Sequence, residues 1–212
     1  MNYIEFKNKV QGLPLIFSRD LVRGAKNKQI ILNRLERWRS KKFLIQLKRG
    51  VYILNQNDRK VNPSLPYVSN LLYAPSYVSL EYALSYYSLI PEKVSDLTSI
   101  STKKTTRFTN ELGTFTYQHI KPAAFRGFKA AKDSAGLTFF MAEPEKALVD
   151  FIYLNLEKFV PGDRKVFEES YRLQNTEILK ARKIIEFAGF FNIKKLIRVT
   201  KALSAFLKDE RA

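Results

Sequence analysis

Cysteine is absent from the 212 residues, so neither a disulfide nor a thiolate-bound metal can form. Histidine occurs once, at His119, which leaves almost nothing for an imidazole metal site or a histidine base. No run approaches the roughly 18–20 apolar residues needed to cross a bilayer. Met1-Asn2-Tyr3-Ile4-Glu5 lacks the basic-then-apolar order of a signal peptide, so a cytoplasmic protein without a membrane partner is expected. A phosphate-cradling glycine loop, a nucleophile elbow and internal repeats are also missing. These absences thin out common enzyme chemistry: no cofactor, metal or catalytic residue is expected, and the chain does not read as an enzyme.

Acidic residues are scarce. Against 37 Lys+Arg there are 20 Asp+Glu, a formal charge of +17, which generates a field that favours polyanions. Residues 1–65 carry 15 basic and 4 acidic side chains and residues 66–212 carry 22 and 16, so the surplus is concentrated at the N-terminus. The plainer reading of such an excess is a solubilising surface. A 45% hydrophobic and 13% aromatic content is enough to offset the entropy of ordering, and the length suits two modest domains.

The pattern divides at Asn55–Ser64, a polar run with one proline and no period, which reads as a linker between a domain over 1–60 and another over 66–212. Pro161-Gly162-Asp163 suits a turn ahead of a helical tail from about residue 163. In the first block, Tyr3, Phe6 and Val10 predict a short helix that ends near Gly12 and Pro14. Ser18 is expected to cap a second short helix that stops at Gly24. From about Asn27 to Lys41, Ile31, Leu35 and Trp38 recur at i, i+4 and i+7 and form one inward stripe. Residues 44–47 and 51–54 then alternate as strands around Lys48-Arg49-Gly50. Three helices followed by a basic-tipped hairpin is the order of a winged helix-turn-helix.

With that stripe inward, a rotation of about 100° per residue puts Gln29, Asn33 and Arg37 outward, with Lys26 and Ser40 close by. Amides pair bidentately with adenine, and arginine pairs with guanine or phosphate, so this face suits double-stranded DNA. Lys48 and Arg49 at the hairpin tip are expected to reach flanking phosphate or the minor groove. The expected DNA-binding residues are therefore Lys26, Gln29, Asn33, Arg37, Lys48 and Arg49. Singly, each also suits an ordinary solvated surface, and some winged helices bind proteins.

Residues 66–160 mix both periods. Helices are expected around Val68, Leu71 and Leu72, over 79–87 with Ser79 as cap, and from Ala142 through Asp150. Strands are expected over 97–101, 115–120 and 137–141, giving an α+β fold: a winged helix-turn-helix, a mixed α/β domain and C-terminal helices. Glu143, Glu145 and Asp150 are the densest acidic group, and near a helix start they suit the dipole better than catalysis. His119 reads as an ordinary sheet residue. Lys103, Lys104 and Arg107 form a basic loop open to DNA backbone, an acidic partner or solvent. Two apolar-striped helices are expected after Asn175, packed on the central domain or forming an oligomer or partner surface.

Three segments in this order, Lys48-Arg49-Gly50-Val51-Tyr52, Tyr77-Val78-Ser79-Leu80-Glu81-Tyr82-Ala83-Leu84 and Ala142-Glu143-Pro144-Glu145-Lys146-Ala147-Leu148-Val149-Asp150, resemble the AbiEi family of antitoxins from type IV abortive-infection toxin–antitoxin systems. The likeness covers roughly residues 1–160. It implies a phage-defence antitoxin and transcriptional autorepressor that binds inverted repeats at its own promoter. It also implies functional opposition to a nucleotidyltransferase-type toxin, with no direct complex assumed. A monomer or weak oligomer, able to cooperate on DNA, is the expected state. A free-standing winged-helix regulator and a nucleic-acid-processing enzyme are the alternatives.

Overall fold

The computed structural model describes residues 1–162, 166–167 and 171–209 of a mixed α+β chain. Helix α1 (Tyr3–Val10) starts at a reciprocal capping box in which the Asn2 side chain accepts from the Glu5 amide and Glu5 reaches back to the Asn2 amide. Strand β1 (Ile16–Phe17), α2 (Ser18–Leu21), α3 (Lys28–Ser40), β2 (Leu44–Lys48) and β3 (Val51–Leu54) follow, with antiparallel strand order β1-β3-β2. Ser18 is the first residue of α2 and Phe17 occupies its cap, so the expected serine cap lies one residue off. Gly24, at φ +74°, ends the turn between α2 and α3, and Asn27 caps α3 through the Ile30 amide.

The inward stripe of α3 is as the periodicity predicts. Leu35 and Trp38 are buried, Ile31 lies at their edge, and the Trp38 ring stacks on Phe6 at 4.5 Å. All four β3 residues are buried because the hairpin has two covered faces. Tyr52 and Leu54 join Phe6, Leu35 and Trp38, whereas Val51 and Ile53 join the larger cluster of the following residues.

That larger cluster surrounds a mixed sheet of order β6-β7-β5-β4-β9-β8. Its elements are α4 (Leu65–Leu72), β4 (Ser76–Val78), α5 (Leu80–Tyr86), β5 (Leu97–Ser101), β6 (Thr106–Asn110), β7 (Gly113–His119), β8 (Phe128–Lys132), β9 (Thr138–Ala142) and α6 (Pro144–Leu154). Strands β5 and β7 run parallel, as do β4 and β9, and the β6–β7 and β8–β9 hairpins close the two edges. The expected strands correspond to β5, β7 and β9. The three-residue β4 and the edge strands β6 and β8 are additions. Arg107, expected on a loop with Lys103 and Lys104, stands in β6. Edge strands carrying exposed Arg107, Lys129 and Lys132 resist pairing with another chain, and the same charges mute their β signal.

Helices α7 (Ala181–Gly189) and α8 (Lys194–Asp209) bury Ile184, Phe187, Leu196, Leu203 and Phe206 in the larger cluster, so both pack on the central sheet-and-helix body. Pro161 and Gly162 form the expected turn, Asp163 lies outside the described residues, and among the described residues the first α-helix of the tail is Ala181–Gly189.

The polar connector after β3 is strapped to α1. Asp58 accepts from the Tyr3 hydroxyl at 2.6 Å and from Lys7 Nζ at 3.2 Å, and the Lys60 amide donates to the Gln11 carbonyl. The Tyr3 hydrogen bond, followed by Lys7, holds the Asp58 carboxyl below the usual carboxylate range, against the opposing effect of burial. Because the folded value is depressed, the strap's contribution is present above about pH 4 and is lost as pH falls through the folded value. Asp58→Asn should therefore lower the melting temperature at neutral pH, and the gap to the parent should close below about pH 4. Thermal unfolding of both proteins across that range checks this.

Candidate functional site

Gln29, Asn33 and Arg37 lie on the solvent face of α3, and Lys26 is exposed in the bend before it. Gln29 Nε2 donates to Asn33 Oδ1 at 2.8 Å, so the two amides form one polar ridge rather than separate side chains. Among the described residues no ion pair uses Lys26, Arg37 or Arg49. Asn33 and Arg37 share a shallow depression with Ile30, Arg34 and the first two residues of the chain. Ile30 is 48% exposed although apolar, and it sits three, four and seven residues from Asn33, Arg34 and Arg37. That spacing makes it a member of the same face, which inspection of the polar positions alone overlooks.

The hairpin turn separates its two cations. Arg49 is exposed, while Lys48 is turned toward the larger body, where its Nζ donates to the Leu72 carbonyl and lies 5.5 Å from the centre of the Phe108 ring. Burial, then the nearby Lys103 and Arg19, push the Lys48 ammonium below its ordinary value. The turn is tied further by Asn110 Nδ2, which donates to the Leu47 carbonyl at 3.0 Å. Arg19, Lys48, Arg49 and Lys103 line one groove of about 610 Å³ between α2, the hairpin turn and the end of α4. Arg19 lies over Phe17 and Lys103 over Tyr73, at 5.0 and 5.3 Å from the ring centres. Asp20, 3.7 Å from Arg19, is the acid at its margin. Lys103, read from the sequence as part of a basic loop, joins this surface through tertiary packing, and so does Arg19, which no sequence spacing marks. Lys104 is exposed beside Lys103, and Arg107 faces Asp96 at 3.8 Å.

The three acidic residues near α6 serve separate sets of contacts. Glu143 meets Lys183 and, at 3.0 Å, Lys129; Glu145 accepts from the Lys180 amide at 3.1 Å. Asp150 is fully buried and pairs with Lys146, itself without solvent exposure, while Tyr77 and Ser79 donate to it at 2.8 and 2.9 Å. The Lys146 ammonium lies against the rings of Phe191 and Tyr77. Burial pushes the Asp150 carboxyl up and the Lys146 ammonium down, and their mutual attraction opposes both shifts. Ser79 stands at the cap position of α5 as expected, but its hydroxyl makes no cap hydrogen bond and donates to Asp150 instead. His119 ends β7, exposed, with Nδ1 3.1 Å from the Lys103 carbonyl, an ordinary sheet position.

Among the described residues no cluster of His, Cys, Asp and Glu could hold a metal ion, and no helix is long and apolar enough to cross a membrane. No protein-family model matches the chain, and no curated protein matches it.

Proposed function

We propose that the chain is a cytoplasmic DNA-binding regulator whose first 60 residues act as a winged helix-turn-helix. Its element order and its β1-β3-β2 sheet suit that role, with α2 and α3 as the helix-turn-helix and β2–β3 as the wing. The observation that carries the reading is the outward face of α3. There Gln29, Asn33 and Arg37 stand exposed at i, i+4 and i+8 beside Lys26, on the most basic segment of the chain. Asn33 and Arg37 read base edges, Ile30 meets thymine methyl groups, and Arg49, Arg19 and Lys103 bind flanking phosphates.

Within that reading the chain represses its own promoter and acts as an antitoxin of the AbiEi type against a nucleotidyltransferase-like toxin, without enzymatic activity of its own. The resemblance in three ordered segments supports this part. Two of them meet physically, since Tyr77 and Ser79 of one are joined to Lys146 and Asp150 of the other.

Co-expression with a nucleotidyltransferase-like reading frame adjacent to its gene tests the antitoxin role. Growth should be rescued by the parent and equally by Asn33→Ala/Arg37→Ala, which separates toxin neutralisation from DNA reading. Absence of such a neighbour, or no rescue, leaves a free-standing regulator. DNase protection of inverted repeats upstream of the gene tests the repressor role, and protection at no site would contradict it.

A further inference from the structure

The groove between α2, the hairpin turn and the end of α4 gathers cations from three separate elements. Arg19 comes from α2, Lys48 and Arg49 from the turn, and Lys103 from the segment after β5. Among the described residues no acidic side chain lines it, and Lys48, Arg49 and Lys103 make no ion pair. Arg19 alone meets an acid, the exposed Asp20 next to it in sequence. Four positive charges therefore share one groove of about 610 Å³, a volume suited to a small ligand.

The charges are close enough to act on one another. Lys103 and Arg19 both push the Lys48 ammonium below its ordinary value, adding to the larger effect of burial. Such crowding is unfavourable in the free chain, and an anion relieves it. Much of the remaining wall is apolar, including Val51, Leu71 and Leu72, and walls that do not solvate charge focus the field of the cations into the groove. Arg19 and Lys103 rest over the rings of Phe17 and Tyr73, which steadies them at its edges. Arg19, Arg49 and Lys103 are exposed, so a ligand reaches them without displacing the protein. Lys48 stays on the Leu72 carbonyl and contributes its charge from the wall.

We propose that this groove binds a compact polyphosphate carrying several negative charges, and that the ligand competes there with the DNA backbone. A compact ligand meets cations that arrive from three elements at once, whereas a DNA strand presents its phosphates one after another along a line. The two arginines pair with phosphate oxygens through their planar forks, and Lys103 supplies a point charge. The competition rests on the DNA reading above, which gives Arg19, Arg49 and Lys103 to flanking phosphates; binding of the polyphosphate itself does not.

Inorganic tripolyphosphate is the probe, titrated calorimetrically into the full chain without DNA at constant ionic strength. One equivalent should bind saturably, and orthophosphate at least about tenfold more weakly. Arg19→Ala/Lys103→Ala should weaken tripolyphosphate at least about tenfold. Arg49→Ala, which removes a side chain with no ion pair or ring contact among the described residues, should also weaken it. Lys194→Ala/Lys201→Ala removes the same charge from exposed positions on α8 and should change the affinity less than about threefold. ATP beside tripolyphosphate separates the two sources of such a group: tighter ATP assigns a nucleoside polyphosphate, tighter tripolyphosphate an inorganic one. No saturable binding, or an equal loss in the groove and α8 double variants, overturns the site by reducing it to the general field of a chain of charge +17. With DNA present, tripolyphosphate should lower promoter affinity beyond salt of equal ionic strength, and Arg19→Ala/Lys103→Ala should abolish that excess. Tripolyphosphate bound while promoter affinity is unchanged overturns the competition and leaves the DNA reading standing. A parent that binds no duplex overturns the DNA reading and with it the competition, and the calorimetric titration still decides the groove.

Discussion

Asp150→Ala should destabilise the folded chain by about 3–5 kcal/mol, the largest stability effect of any single change considered. Lys146 and Asp150 have no solvent exposure, and the lysine ammonium is otherwise surrounded by the rings of Phe191 and Tyr77. Removing the carboxylate leaves that ammonium without a counter-charge where water cannot reach it, and the Tyr77 and Ser79 hydroxyls lose their shared acceptor. Asp150→Asn keeps an acceptor for both hydroxyls but removes the charge, so an intermediate loss is expected. Joint replacement, Lys146→Met with Asp150→Leu, should recover the part of the deficit that comes from the uncompensated ammonium, because an apolar pair avoids the desolvation of two ions, while the part that comes from the Tyr77 and Ser79 hydroxyls persists. Urea unfolding at neutral pH distinguishes these cases. Asp150→Ala as stable as the parent would mean that water enters the cluster.

The second large effect concerns DNA. Each good bidentate side-chain–base pair supplies about 1–3 kcal/mol of discrimination, so Asn33→Ala/Arg37→Ala should reduce preference for the cognate operator on the order of a hundredfold. Affinity for unrelated DNA should fall far less, because most of it comes from phosphate contacts. Arg49→Ala should weaken binding to all sequences and reduce the salt slope by about one. Lys48 and Arg49 form one basic tip when only their adjacency is considered, but the fold gives them different work. Lys48 is engaged with the Leu72 carbonyl and Phe108, so Lys48→Ala should act mainly by loosening the hairpin from the larger body. Titrations of all three variants against operator and scrambled duplexes check this division.

Local periodicity made much of this fold legible. The Ile31, Leu35 and Trp38 stripe sets the rotation of α3 and hence exposes Gln29, Asn33 and Arg37, because a helix with one buried stripe has one opposite face. Strands β5, β7 and β9 were visible because their β-branched and aromatic residues alternate. The lysines of β8 and the Thr-Arg-Phe-Thr-Asn run of β6 obscure strands that exist because their neighbours offer a free edge. Contacts across long separations were hidden for a related reason. Lys146 and Asp150 resemble an ordinary helical i, i+4 pair, and only the fold brings Tyr77 and Ser79 onto them. The Asn70 side chain likewise accepts from the Phe140 amide, distant in sequence and adjacent in space.

The central claim, that the outward face of α3 reads DNA sequence, is tested most directly by fluorescence anisotropy across a salt series. The full chain is titrated against a duplex carrying inverted repeats from its own promoter and against a scrambled duplex of equal length. The account predicts tighter binding to the promoter duplex, a linear fall of log affinity with log salt on both, and loss of the promoter preference in Asn33→Ala/Arg37→Ala. Equal affinity of the parent for the two duplexes, or a promoter preference that survives that double substitution, would contradict it.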